Sequence, residues 1–97
     1  MAYKILPYSF RKAKDLGVVI KPSSNILKKI DVFKDGKKVA SIGARGMNDY
    51  PTYLNYEKSG LFQKGYANNR RKLYKERHEK DRKVKNSNGW YADQILW

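Results

Sequence analysis

The residues best suited to chemistry lie in a basic run that covers positions 70–85. An arginine guanidinium presents a planar fork of donors to phosphate oxygens, and a lysine ammonium acts as a mobile point charge. A helix that carries both can neutralise several phosphates and release their counterions. The run contains nine cations and three carboxylates, namely Arg70, Arg71, Lys72, Lys75, Arg77, Lys80, Arg82, Lys83 and Lys85 against Glu76, Glu79 and Asp81. This excess predicts a polyanion-binding surface, and the alternative is a solvated helix face laced with ion pairs.

A second group of cations surrounds a predicted β-turn at Asp35 and Gly36. The group consists of Lys34, Lys37 and Lys38 beside the turn, extended by Lys28 and Lys29 where the first strand begins. Like charges that face each other across a ladder are unfavourable, which suggests an anion nearby. The alternative is edge protection, in which lysines discourage pairing with other chains.

Aromatic side chains are interleaved with these cations. They are Tyr66, Tyr74, Trp90 and Tyr91. Such rings could stack on the bases of a single strand, because every base offers a π-face. Core packing is the alternative, which we favour for Trp90 and Trp97, and we expect Tyr74 to be half-buried.

Catalytic chemistry has little support. His78 is the only histidine, we expect Glu79 and Asp81 to lie on other faces of its helix, and the chain has no cysteine. Neither a metal site nor a nuclease centre can be completed from these residues. Residues 43–46 hold two glycines and an arginine but lack the Gly-Lys-Ser/Thr ending of a phosphate loop, so a plain turn is the better interpretation. We therefore expect a non-enzymatic protein without a cofactor, a metal or a small-molecule substrate.

Composition points to one domain over residues 1–97 with an anionic partner. The formal net charge is +13, and charge of this size opposes compaction unless a partner neutralises it. Eight Tyr, three Phe and two Trp supply apolar surface for a small core. The absence of cysteine fits a reducing compartment. Apolar runs are too short for a membrane span or a signal peptide, so we expect an intracellular protein.

The elements that must position these residues begin with a β-hairpin. Asp35-Gly36 suits a two-residue turn between strands covering about residues 28–42. With this loop, Val32 faces Val39, and these two residues share the predicted buried face with Ile30. The lysine-rich tip is expected to remain in water.

The rest of the chain completes a predicted α+β fold. We expect a short edge strand over residues 3–8, a turn of helix over 10–16, an extended segment over 18–20, a short helix over 52–57 and a basic helix over about 67–83. That last helix packs on or beside a small antiparallel sheet. The aromatic end, residues 90–97, would be costly to leave in water and is expected to fold back and be ordered.

Three separated stretches resemble one group of viral proteins. The stretches are residues 31–38 (Asp-Val-Phe-Lys-Asp-Gly-Lys-Lys) with the following Ile42-Gly43, residues 69–78 (Asn-Arg-Arg-Lys-Leu-Tyr-Lys-Glu-Arg-His) and residues 89–97 (Gly-Trp-Tyr-Ala-Asp-Gln-Ile-Leu-Trp). Their order is similar to that in small basic proteins of unassigned function encoded by nucleocytoplasmic large DNA viruses. The resemblance covers roughly residues 28–97, and residues 1–27 show no match.

The resemblance implies a protein of the viral factory or the virion interior. Combined with the charge, it leads us to expect sequence-nonspecific binding to the phosphate backbone of nucleic acid, DNA or RNA, as a genome-associated protein. The alternative is a structural virion protein, a minor capsid or cement component that binds acidic protein or membrane surfaces.

Overall fold

A three-stranded antiparallel sheet with helices packed around it forms the framework of the protein. The computed structural model describes residues 3–97, so Met1 and Ala2 of the predicted single domain lie outside the described residues. The elements are α1 (Pro7–Leu16), β1 (Val19–Pro22), β2 (Lys28–Lys34), β3 (Lys37–Ala44), α2 (Tyr50–Lys58), α3 (Tyr66–Arg77), a 3-10 turn (Asp81–Lys83) and α4 (Asn88–Leu96). The strand order is β1-β2-β3. The predicted α+β class is confirmed.

The β2–β3 hairpin turns where the sequence predicts it. Asp35 and Gly36 both have positive φ angles, 53° and 79°, as a two-residue turn of this kind requires. Lys34 pairs with Lys37 across the turn, and both side chains are exposed. The predicted solvent-exposed lysine tip is therefore confirmed.

A β-bulge changes the register further along the hairpin. The irregularity lies between Val32 and Phe33, and beyond it Val32 pairs with Ala40 instead of the predicted Val39. An extra residue on one strand shifts every following pair by one position. Val39 is 40 % exposed as a result, so its predicted place on the buried face is wrong.

The N-terminal segment is helical where an edge strand is predicted. Residues 3–6 form no regular element, and Pro7 begins α1. Proline suits the first turn of a helix because its missing N–H would have no partner there and its φ angle is preset. The predicted edge strand over residues 3–8 is therefore wrong. The predicted helical turn over 10–16 is confirmed, and α1 ends at Gly17 in the left-handed conformation.

The basic helix is shorter than predicted. α3 ends at Arg77, whereas the prediction extends to residue 83. Beyond His78 the chain turns, and Arg82 Nε donates a 3.1 Å hydrogen bond back to the carbonyl oxygen of Lys75. This bond satisfies a carbonyl at the helix end, as basic side chains commonly do there. Residues 78–83, predicted as the last turns of this helix, therefore form a chain turn and a short 3-10 turn instead.

The C-terminal helix α4 packs against β3 and α1, while α3 packs against α2. Ser9 Oγ in α1 donates a 3.0 Å hydrogen bond to the carbonyl oxygen of Ile95, and the Tyr8 hydroxyl donates one of 3.2 Å to the carbonyl oxygen of Trp97. Large apolar side chains with almost no exposure are Ile30, Val32, Ile42, Ile95 and Leu96. The predicted folding back of the aromatic end is confirmed, and this end contributes Ile95, Leu96 and Trp97 to the core.

Candidate anion-binding surface

Most of the positive charge is not compensated within the protein. Of the 22 Lys and Arg side chains, five form ion pairs with carboxylates, and the other 17 have no carboxylate within 4.0 Å in residues 3–97. The paired cations are Lys29, Lys38, Lys75, Arg82 and Lys83. A compact surface with this many unpaired cations has a strongly positive potential.

The cations of α3 and of the segment that follows it divide into free and structural groups. Lys72, Arg77 and Lys80 are exposed and form no ion pair with any described residue. Lys75 instead donates a 2.7 Å hydrogen bond to the buried carboxylate of Asp93 in α4. A charge paired in this way fixes the two helices relative to one another and has little freedom to bind an external anion.

The segment after α3 is held by its own ion pairs. Arg82 Nη2 donates a 2.7 Å hydrogen bond to Glu79, and Lys83 pairs with the same carboxylate. These contacts, from Lys83 and then Arg82, lower the pKa of Glu79. Two of the predicted binding residues therefore already have an anionic partner.

Arg70 and Arg71 each have a guanidinium over an aromatic ring. The Arg70 guanidinium lies 5.7 Å from the centre of the Tyr53 ring, and that of Arg71 lies 4.5 Å from the centre of Tyr50. The Nε atoms of both arginines are buried without a hydrogen-bond partner among residues 3–97. Cation–π contacts orient the guanidinium without neutralising its charge. Both guanidinium groups are thus held in place while their charge remains uncompensated by any described carboxylate.

A groove of about 430 Å³ runs between α3 and the connection from β3 to α2. Arg70 and Arg77 line it together with Tyr53, Tyr74 and Trp97. The groove therefore combines two unpaired cations with an aromatic lining.

Three rings form a stack beside this groove. The Tyr74 ring lies 4.1 Å from Trp97 and 4.4 Å from His78 between ring centres. Burial, followed by the charge of Asp93, raises the pKa of Tyr74 to about 12. Tyr74 is buried, whereas the sequence predicted it half-buried, and Trp97 is buried as predicted. Trp90 is only half-buried and packs edge-on against Tyr91, so its predicted core position is reached in part.

The hairpin lysines lie on a surface that continues beyond α3. Lys34 and Lys85 line one cleft of about 310 Å³ together with Trp90, while Lys37 is exposed at the turn. Lys38 is 3.8 Å from the carboxylate of Asp31, which partly compensates it. Lys34 of the hairpin tip and Lys85 of the segment after α3 therefore meet at one cleft, which Asp15 also lines.

Besides Asp93, two more buried carboxylates escaped the sequence analysis. Asp31 in β2 is desolvated, which raises its pKa, but hydrogen bonds from Ser23, Ser41 and the Ser24 amide, with Lys38 nearby, produce a net lowering of that pKa. The Ser23 and Ser41 hydroxyls approach it to 2.6 and 2.7 Å. The available sequence signal was a serine directly opposite Asp31 on β3, Ser41, together with the serines of the β1–β2 loop.

The second carboxylate, Asp49, removes one predicted cation from the surface. Lys29 Nζ donates a 2.9 Å hydrogen bond to Asp49, and both side chains are buried. Lys29 therefore belongs to the interior, although the sequence places it with the hairpin lysines. Lys28 is half-buried and unpaired among the described residues.

His78 has an acidic neighbour after all. Its Nδ1 lies 3.7 Å from an Asp81 carboxylate oxygen, so the expectation that Asp81 faces elsewhere is wrong. Residues three apart face each other on a helix, and the turn after α3 preserves this proximity. Within residues 3–97, no three His, Asp or Glu side chains group in a way that could hold a metal ion.

None of the helices formed by residues 3–97 has the length and apolar character needed to cross a bilayer. Comparison with known proteins finds no family model, no curated protein and no solved structure that matches the chain.

Proposed function

We propose that the protein binds the phosphate backbone of nucleic acid without reading base sequence, as a genome-associated protein of a large DNA virus. The observation that carries this proposal is the set of 17 cations without a carboxylate partner in residues 3–97. The viral origin, in a viral factory or virion interior, is proposed from the resemblance of three sequence stretches.

The dimensions of α3 suit several phosphates at once. Its 12 residues span about 18 Å, the axial length of about five base pairs. Arg70 and Arg77 lie two turns apart on one face of this helix and Lys72 lies on the opposite face, and none of the three forms an ion pair with a described residue. Phosphate contacts of this kind position a protein on a duplex but carry no direct sequence information. Binding through this helix is therefore expected to tolerate any sequence.

The test is a fluorescence anisotropy titration of the full chain with two labelled duplexes of equal length and unrelated sequence. We expect dissociation constants within about twofold of each other. If six to ten phosphates are contacted, affinity falls by about 10³–10⁵ between 50 and 200 mM salt. Failure to bind at low salt, or a large preference for one duplex, would contradict the proposal. Repeating the titration with single-stranded DNA and RNA determines the preferred nucleic acid.

A second candidate is a structural virion protein, such as a minor capsid or cement component that meets acidic proteins or an anionic membrane. Exposed aliphatic side chains at one end of the sheet favour this second candidate, because contacts to a phosphate backbone would leave these side chains in water. The discriminating observation is location: density against the capsid shell favours this candidate, and co-sedimentation with the viral core favours nucleic-acid binding.

A further inference from the structure

Two adjoining loops carry exposed aliphatic side chains at the end of the sheet opposite the lysine tip. Ile26 is 79 % exposed and Leu27 is 69 % exposed in the β1–β2 loop, and Met47 is 58 % exposed in the β3–α2 loop. The backbone N–H of Arg45 donates a 3.1 Å hydrogen bond to the carbonyl oxygen of Leu27, which joins the two loops. Single exposed aliphatic residues are common on protein surfaces, but three on joined loops form a patch.

The β1–β2 loop is fixed by its own hydrogen bonds. Asn25 Oδ1 accepts a 2.8 Å bond from the Leu27 N–H, and the Asn25 carbonyl accepts one of 3.0 Å from the Lys28 N–H. The Ser23 hydroxyl accepts a further 3.0 Å bond from the Asn25 N–H. Side-chain bonds to nearby backbone give such turns a defined shape. Ile26 and Leu27 are therefore held outward by the loop itself.

Unpaired cations lie next to these two loops in sequence or share a groove with Met47. Lys28 follows Leu27 directly, Arg45 precedes Met47 by two positions, and Arg70 and Arg77 line the groove that Met47 also lines. Arg45 Nε is buried without a hydrogen-bond partner in residues 3–97. The one carboxylate of that groove, Asp49, is buried and paired with Lys29. The two loops thus combine exposed aliphatic side chains with nearby unpaired positive charge.

From this arrangement we infer that the two loops insert into the surface of an anionic membrane. Aliphatic side chains gain by entering the boundary between headgroups and acyl chains, and cations beside them meet lipid phosphates and carboxylates. Nucleic acid satisfies the cations but leaves Ile26 and Leu27 in water, so charge and apolar exposure together favour a lipid surface. This inference deepens the second candidate function and does not depend on nucleic-acid binding.

The experiment measures co-sedimentation of the full chain with vesicles of phosphatidylcholine that contain about 30 mol % phosphatidylserine. We expect binding to these vesicles and at least about tenfold weaker binding to pure phosphatidylcholine. The double variant I26S/L27S should bind the anionic vesicles about tenfold or more weakly than the natural sequence, because it loses the apolar contribution. Both substituted side chains are exposed, and circular dichroism checks that the fold is retained.

The matched control is Leu61→Ser, which removes an aliphatic side chain that is 64 % exposed in the connection between α2 and α3. It should bind vesicles like the natural sequence. Absence of vesicle binding, unchanged binding of I26S/L27S, or an equal loss in Leu61→Ser would each overturn the inference. Duplex affinity of I26S/L27S should stay within about twofold of the natural sequence. A chain that binds vesicles but no nucleic acid keeps this inference and refutes the first proposal.

Discussion

Gly43 occupies a position in β3 that leaves no room for a side chain. A Cβ atom there would lie 2.8 Å from Leu96 Cδ1 and 2.9 Å from Lys29 Cδ, and the φ angle is +78°. Gly43→Ala should therefore lower the free energy of unfolding by about 1–3 kcal/mol more than Gly46→Ala. Gly46 has a similar φ of +86° but no atom within 4 Å of its Cβ position. The difference between the two variants therefore measures the cost of the steric clash at Gly43 without the cost of the backbone conformation. Urea unfolding of both variants measures the difference, and equal losses would contradict the prediction.

Asp49 connects three parts of the chain. Its carboxylate accepts hydrogen bonds from the Tyr3 hydroxyl at 2.7 Å, from Lys29 at 2.9 Å and from the Thr52 hydroxyl at 2.6 Å. Asp49→Ala leaves the Lys29 ammonium buried without a counter-ion, which should lower the free energy of unfolding by about 3–5 kcal/mol. Asp15→Ala is the exposed control and should change it by less than about 0.5 kcal/mol. A similar effect of the two variants in chemical denaturation would refute this role for Asp49.

Tyr74 should make the protein sensitive to alkali. Burial raises its pKa to about 12 in the folded state, above the value of about 10 expected when unfolded. The folded state then binds more protons, so the contribution is complete below about pH 10 and is lost as the pH rises to about 12. Tyr74→Phe should flatten the decline of stability over this interval, as followed by denaturant unfolding at several pH values. An unchanged slope would contradict the assignment.

Individual buried residues were only partly predictable from sequence. Trp97 could be assigned to the core because its apolar ring is costly to expose. The Lys29–Asp49 ion pair could not be predicted, since its partners are 20 positions apart and only the tertiary fold joins them. From sequence alone, a lysine such as Lys29 is assigned to the surface, because its buried partner cannot be identified.

At the scale of elements, the exposed free cations of α3, together with Lys80 just after it, are expected to contribute to nucleic-acid binding. The triple variant K72Q/R77Q/K80Q should weaken duplex binding and reduce the slope of log affinity against log salt by up to about 3, roughly 0.9 for each lost phosphate contact. The control K14Q/K58Q/K64Q removes three exposed charges from other parts of the chain. Anisotropy titrations at several salt concentrations compare them. Equal salt slopes for the two triple variants would show that Lys72, Arg77 and Lys80 contribute no more to binding than cations elsewhere on the chain.

Lys75 lies in the same helix but should behave differently. Its ammonium is paired with the buried carboxylate of Asp93. Lys75→Met should therefore lower the free energy of unfolding, by about 3 kcal/mol, with little change in the salt slope. Thermal unfolding and an anisotropy salt series together separate the two effects. A large change in slope with unchanged stability would reverse the assignment.

Elements with local causes were predictable, and those with distant causes were not. The hairpin turn follows from Asp35 and Gly36 alone, and the start of α2 follows from Asp49, which accepts a 3.1 Å hydrogen bond from the Thr52 N–H. The bulge at Val32 and the end of α3 depend on packing and on the Arg82 side chain returning to Lys75. Local sequence patterns do not predict contacts that tertiary packing determines.

At the scale of the whole molecule, the α+β class and the excess of positive charge were both accessible from the sequence. The division of the charge between free and paired cations was only partly accessible. Arg82 and Lys83 pair with Glu79 three and four positions away, which a helical spacing indicates. The pairs of Lys29, Lys38 and Lys75 join different elements and depend on the fold. The sequence therefore predicted that the candidate surface is cationic, but only partly which lysines and arginines on it are free.

The net charge of +13 should also destabilise the free protein through self-repulsion. Raising salt screens exposed charges much more than buried pairs. We expect the free energy of unfolding to rise by about 1 kcal/mol, or the Tm by about 4–8 °C, between about 10 and 300 mM sodium chloride. Scanning calorimetry at several salt concentrations measures this. A falling Tm would mean that attractive surface pairs dominate instead.

The joining of α1 to α4 has a consequence for how the chain folds. The hydrogen bonds between these helices link residues 86 and 89 positions apart, whereas the hairpin needs only neighbouring residues. Hairpins form in about 1–10 μs, and contacts between distant residues form later because closing a long loop costs entropy. For that interval Ile30 and Ile42 lack the cover that α4 provides. Mutual repulsion between the highly charged chains then limits the aggregation to which such half-assembled sheets are prone.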